Sequence, residues 1–81
     1  MKEVKISLNT IEKVKNFVNI ITKYPVDSLV TSESRKYVVD AKSIMGIFSL
    51  DLSKNLILEI NTDDDSVIAD IEAAITEFKV A

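Results

Sequence analysis

The chain has no histidine, no cysteine and no tryptophan, and only one glycine and one proline among its 81 residues. Without cysteine there is neither a disulfide framework nor a thiolate metal site. Without histidine the commonest remaining zinc ligand is gone, so no metal and no cofactor are expected. The same absences, with the lack of a glycine-rich phosphate loop, remove the usual means of nucleophilic and acid–base catalysis. The carboxylates are scattered, with no pairing that a helical or strand period would converge, so the chain does not read as an enzyme. No run approaches the roughly 20 apolar residues of a membrane-spanning helix, and Met1-Lys2-Glu3-Val4-Lys5 lacks the apolar region of a signal peptide. A cytoplasmic location without membrane contact is the expectation. Basic residues are short as well: 10 Lys and Arg against 13 Asp and Glu leave a net charge of -3, which argues against a general nucleic-acid surface.

What is present is the composition of one ordered domain spanning residues 1–81, with 47% hydrophobic and 28% charged residues. Val4, Ile6 and Leu8 alternate with polar residues and predict a half-buried strand. Asn9, with Glu12 three residues on, suits a capping box, after which Ile11, Val14, Phe17, Val18 and Ile21 fall on one helical stripe running to about Lys23. Pro25 cannot continue that helix and pushes the chain into a strand from Val26 to Thr31. Ser32-Glu33-Ser34-Arg35 reads as a hairpin connection, with Tyr37, Val39 and Ala41 alternating beyond it as a third strand. A short apolar helix follows from Ser43 to Leu50. A connection at Asp51 to Asn55 comes next, in which Asn55 suits a left-handed turn. Leu56, Leu58 and Ile60 give a fourth strand. Asp63-Asp64-Asp65-Ser66 then supplies a cap and first-turn negative charge for a last helix with Val67, Ile68, Ile71, Ala74, Ile75 and Phe78 on its stripe; cation binding by the aspartates is the lesser reading. The order is βαββαβα. Each element has one apolar side to bury, which predicts a two-layer α+β sandwich whose antiparallel sheet is covered on one face.

The segment Lys42-Ser43-Ile44-Met45-Gly46-Ile47-Phe48-Ser49-Leu50 carries the functional signal. Taken alone, Ser43 is a helix N-cap worth about 1 kcal/mol. Ile47 and Leu50, three apart, suit the core. Ile44, Met45 and Phe48 then share another face, an apolar patch of the kind that binds partners, in which methionine adapts to varied surfaces.

These nine residues, with Lys54 before the last strand and Lys23-Tyr24 closing the first helix, resemble HPr, the family of small phosphocarriers of the bacterial sugar phosphotransferase system. The resemblance extends over nearly the whole chain and implies an open-faced sandwich of four antiparallel strands with three helices on one side. It also implies that Thr10, Glu12 and Lys13 stand where the family carries its active histidine and a nearby arginine and proline. Thr10 lacks an adjacent base, and a threonine phosphoester is too stable to pass its phosphoryl group onward as a phosphoramidate does, so the phosphocarrier reaction is not expected and no catalytic residue is assigned. In this respect the chain resembles the histidine-lacking, Crh-like branch of the family. The resemblance further implies Ser43 as a site for the ATP-dependent HPr kinase/phosphorylase. It makes Lys42, Ile44, Met45, Phe48, Glu12 and Lys13 the docking surface for phosphotransferase-system proteins or a catabolite-control transcription regulator, the chain itself being a monomer or weak homodimer. Glu12 would repel a phosphate on Ser43, with Lys13 and Lys42 positioned to compensate. The alternative is a constitutive interaction module or homodimer in which Ser43 is only a cap.

Overall fold

A computed structural model describes residues 1–80. Its elements are β1 (Lys2–Ile6), α1 (Ile11–Ile21), β2 (Ser28–Ser32), β3 (Val38–Asp40), α2 (Ile44–Phe48), β4 (Leu56–Ile60) and α3 (Asp65–Ala74), followed by a 3-10 turn at Thr76–Phe78. The four strands form one sheet in the order β1-β4-β2-β3, every neighbour antiparallel. Its register aligns Val4, Leu58, Val30 and Val39 in one row on the helix side, while Glu3, Glu59, Leu29 and Asp40 form the next row on the open side. Strand alternation therefore delivers Val4, Ile6, Val30, Leu56, Leu58 and Ile60 to a single core. The helices meet them there with Val14, Phe17, Val18 and Ile21 from α1, Ile47 from α2 and Ile71 from α3. Phe17 and Phe78 close this core edge to face, with ring centres 5.7 Å apart at 86°. The fold is the α+β open-faced sandwich with four antiparallel strands and three helices.

Local chemistry shifts several boundaries from those the periodicity suggests. The cap of α1 is Thr10, not Asn9: Thr10 is extended and its Oγ1 accepts the Lys13 N–H at 3.1 Å. Ile11, expected on the buried stripe, is 64% exposed, because side chains in the first turn lean back toward the helix N-terminus and past the layer they would cover. The helix stops at Ile21, and the N–H groups of Lys23 and Tyr24 bond the carbonyls of Ile20 and Ile21 in a closing turn before Pro25. The predicted last helix is two pieces. Thr76 bonds back through its hydroxyl to the carbonyls of Glu72 and Ala73, α3 ends, and the 3-10 turn carries Phe78 inward. At the other end of α3 Asp64 is the cap; bonds from the Ser66 hydroxyl, then from the backbone N–H groups of Ser66 and Val67, hold its carboxyl below the usual range. Among the described residues no three Asp, Glu, His or Cys side chains gather as a metal site.

The left-handed backbone lies at Arg35 (φ 61°), not at Asn55. This turn in the β2–β3 hairpin sends the Arg35 guanidinium to Glu3 on the open face, where it donates two bonds to the carboxylate at 2.9 and 3.0 Å. The register sets Glu3 directly opposite Glu59, and the cation between them offsets that repulsion. The hydrogen bond from Arg35 is the main reason the Glu3 carboxyl sits below its ordinary value. A depressed carboxyl adds stability above its unfolded-state pKa and loses it as pH falls through the folded-state value. The stability gap between wild type and Glu3→Gln, read from urea midpoints, is therefore expected to close as pH drops from about 5 to about 2, and to narrow in high salt because the pair is exposed. Phe17→Ala is expected to cost about 3–5 kcal/mol in the same assay.

Candidate docking site

The start of α2 is built by two residues that precede it. Asp40 ends β3, and its Oδ1 accepts the Lys42 N–H at 2.9 Å while its carbonyl accepts the Ser43 N–H at 3.0 Å. Ser43 is thereby held extended, and its Oγ accepts the Gly46 N–H at 3.0 Å as the helix cap. The N–H groups of Ile44 and Met45 precede any acceptor within the helix. α2 packs on β3 and on α1, and the approach to β3 is close. A Cβ on Gly46 would stand 3.1 Å from the Val39 Cβ and 3.1 Å from the Ser43 Oγ, so hydrogen at this position lets the helix seat itself.

Seated in this way, α2 buries Ile47 fully, and Leu50 just beyond it is buried as well. Met45 is 79% exposed, with Ile44 and Phe48 each exposed by more than a third. The division into core and outward residues that the spacing predicts is the one observed. Ile11, exposed at the head of the neighbouring helix, is an addition the stripe did not reveal. Beside it Thr10 and Glu12 are exposed and Lys13 is half-buried, as is Lys42 at the entry to α2. Among the described residues no ion pair ties Glu12, Lys13 or Lys42 to another side chain.

Thr10 is spoken for as a cap: its hydroxyl oxygen takes the Lys13 N–H and its carbonyl takes the Val14 N–H at 3.1 Å. No described side chain accepts its hydroxyl proton, so nothing raises its nucleophilicity. A cleft of about 560 Å³ lies elsewhere. It runs between the β2–β3 hairpin and the segment from Ser49 to Leu56, and includes neither Thr10 nor Ser43. Its lining has no buried charge.

A family model described as the PTS HPr component phosphorylation site matches residues 12–78. The chain belongs to the HPr family. Among solved structures it is similar to HPr-C-His from Thermoanaerobacter tengcongensis, at 28% identity over 94% of this chain and 97% of that one, with a TM-score of 0.67. It is also similar to the phosphocarrier protein HPr from Bacillus anthracis str. Ames, at 25% identity over 90% of this chain and 92% of that one, with a TM-score of 0.62. No curated protein matches the sequence. The HPr family is one of phosphocarrier proteins rather than enzymes, and no helix among the described residues is long and apolar enough to cross a membrane. The segment matched by the family model starts two residues after Thr10.

As unmodified residues, Thr10 and Ser43 are both caps. Thr10→Ala and Ser43→Ala are each expected to lower stability by about 1 kcal/mol in urea unfolding. Gly46→Ala is expected to destabilise too, against the helix propensity of alanine, because Val39 blocks the added methyl.

Proposed function

We propose that this HPr-family protein has given up phosphoryl relay and works as a regulatory docking protein in sugar uptake and carbon catabolite control. Phosphorylation of Ser43 by an HPr kinase adjusts its surface. One observation carries the reading: a chain without histidine keeps an apolar helix face of Ile44, Met45 and Phe48 open to solvent directly beside a capping serine. A phosphate on Ser43 would add nearly two negative charges at the rim of that face. Its oxygens could still accept the Gly46 N–H, so the modification needs no unfolding of α2. Lys42 and Lys13 supply compensating charge, and Glu12 opposes it, so binding that depends on the phosphate is weaker than an arginine in place of Glu12 would give. The partners on this reading are the kinase itself and a catabolite-control regulator or phosphotransferase-system proteins, all reached in the cytoplasm.

The second reading, a constitutive interaction module, draws on the occupied state of Ser43: its Oγ already satisfies a helix N–H, which is reason enough for a serine there. On this reading the same patch binds without any switch.

Incubation with HPr kinase, ATP and magnesium is expected to add one phosphate to wild type and none to Ser43→Ala, read by intact mass; an unmodified wild type removes the switch. Charged enzyme I is expected to leave no acid-labile phosphate on the chain, and a labile adduct would restore the phosphocarrier role. In capture of a phosphotransferase-system partner, Met45→Asp is expected to weaken binding at least about tenfold. Sensitivity to Ser43→Asp as well supports the switch, and insensitivity to it favours the constitutive module.

A further inference from the structure

The sheet has two edges, and only one is covered. Along β1 the C-terminal segment runs antiparallel, with the Ser7 N–H on the Phe78 carbonyl at 2.8 Å and the Val80 N–H on the Lys5 carbonyl at 3.0 Å. Beyond β3 no described strand follows. The Ser32 N–H bonds the Tyr37 carbonyl at 2.9 Å, and the Ala41 N–H bonds the Ser28 carbonyl at 2.9 Å. Odd-numbered residues of this strand therefore face β2, and Val38 and Asp40 turn their backbone groups outward. The Asp40 carbonyl is taken by Ser43. Val38 thus offers the edge both a free N–H and a free carbonyl, with its side chain 54% exposed and the neighbouring Tyr37 65% exposed. A β-branched and an aromatic residue on a bare edge invite strand addition.

The charges flanking Val38 indicate what adds. We infer that β3 pairs antiparallel with β3 of a second copy of this chain, across a twofold axis at Val38. Hydrogen bonding requires outward residues to oppose outward residues, which leaves only registers that shift by two. With Val38 opposite Val38, two backbone bonds form at the centre, and Lys36, in the hairpin bend two residues before β3, comes alongside Asp40 of the other copy, giving two opposite-charge pairs. A shift by two residues one way sets Lys36 against Lys42. A shift the other way sets it against Val38 and leaves both charges without a partner. The centred register is the one the charges select.

Two four-stranded sheets then join into one of eight strands. Because α2 packs beside β3, both Ile44–Met45–Phe48 faces lie on the same side of the dimer, flanking its axis. The contact is short, below about 1,200 Å² of buried surface, so association is weak and depends on concentration.

Sedimentation equilibrium of the purified chain from about 10 µM to about 1 mM is the test. Wild type is expected to populate a dimer over this range. Lys36→Asp and Asp40→Lys are each expected to weaken self-association at least tenfold. An equimolar mixture of the two is expected to recover wild-type association, since every cross-strand pair is again opposite in sign. Val38→Asp, at an exposed position, is expected to abolish the dimer while leaving the circular dichroism unchanged, and Met45→Asp is expected to leave the dimer intact. A wild type that is monomeric at every concentration overturns the inference. So does a dimer that Met45→Asp breaks and the β3 substitutions spare, or a mixture that fails to recover.

Discussion

Burial of Leu56, Leu58 and Ile60 in the middle of the sheet is the constraint on which the rest of the structure depends. β4 bonds to β1 on one side and β2 on the other, so its alternation fixes which residues of both neighbours face the helices. A slip of one residue would put Ile57 and Glu59 into the core in their place, which binds Val4 and Val30 to the register observed. The helices must then cover a single apolar face, and the chain contains just enough of them. α1 contributes a stripe of four buried residues and α3 buries Ile71 with Val67 and Ile68 packed beside it; α2 has only five residues and buries Ile47 of its own, with Leu50 following.

That economy decides which side chains of α2 stay outward. A helix of one and a half turns cannot bury four apolar side chains against one sheet, and the close seat on Val39 permitted by Gly46 fixes which way it is turned. Ile44, Met45 and Phe48 are left outward by geometry, next to a half-buried serine whose hydroxyl oxygen accepts the Gly46 N–H. At the start of α1, Thr10 is engaged in capping. The proposed function rests on these two features together: a chain without imidazole and an apolar helix face open to solvent.

Much of this was legible in the sequence because it follows from period and spacing. Val4, Ile6, Leu56, Leu58 and Ile60 alternate, the stripe of α1 repeats at helical spacing, and Ile47 with Leu50 separate from Ile44, Met45 and Phe48 by the same arithmetic. The contacts that escaped depend on where elements end or on residues far apart in sequence. Ile11 matches the stripe, yet it sits in the first turn and leans off the layer. Ile75 and Phe78 match theirs, but the Thr76 hydroxyl breaks the helix between them. The bond between Arg35 and Glu3 spans 32 residues and rests on a left-handed arginine, which no local pattern announces. The free edge at Val38 emerges only once the strand order is known.

On the proposed function, the outward face of α2, with the adjoining start of α1, is the surface that partners contact. The most direct measurement is an amide-resolved NMR titration of the labelled chain with an unlabelled phosphotransferase-system partner such as enzyme I or an HPr kinase. Shifts are expected to concentrate at Lys42 to Phe48 and at Thr10 to Lys13, with α3 and the open face of the sheet unchanged. Perturbations centred on α3 or on the open face, or none at saturating partner, would contradict it.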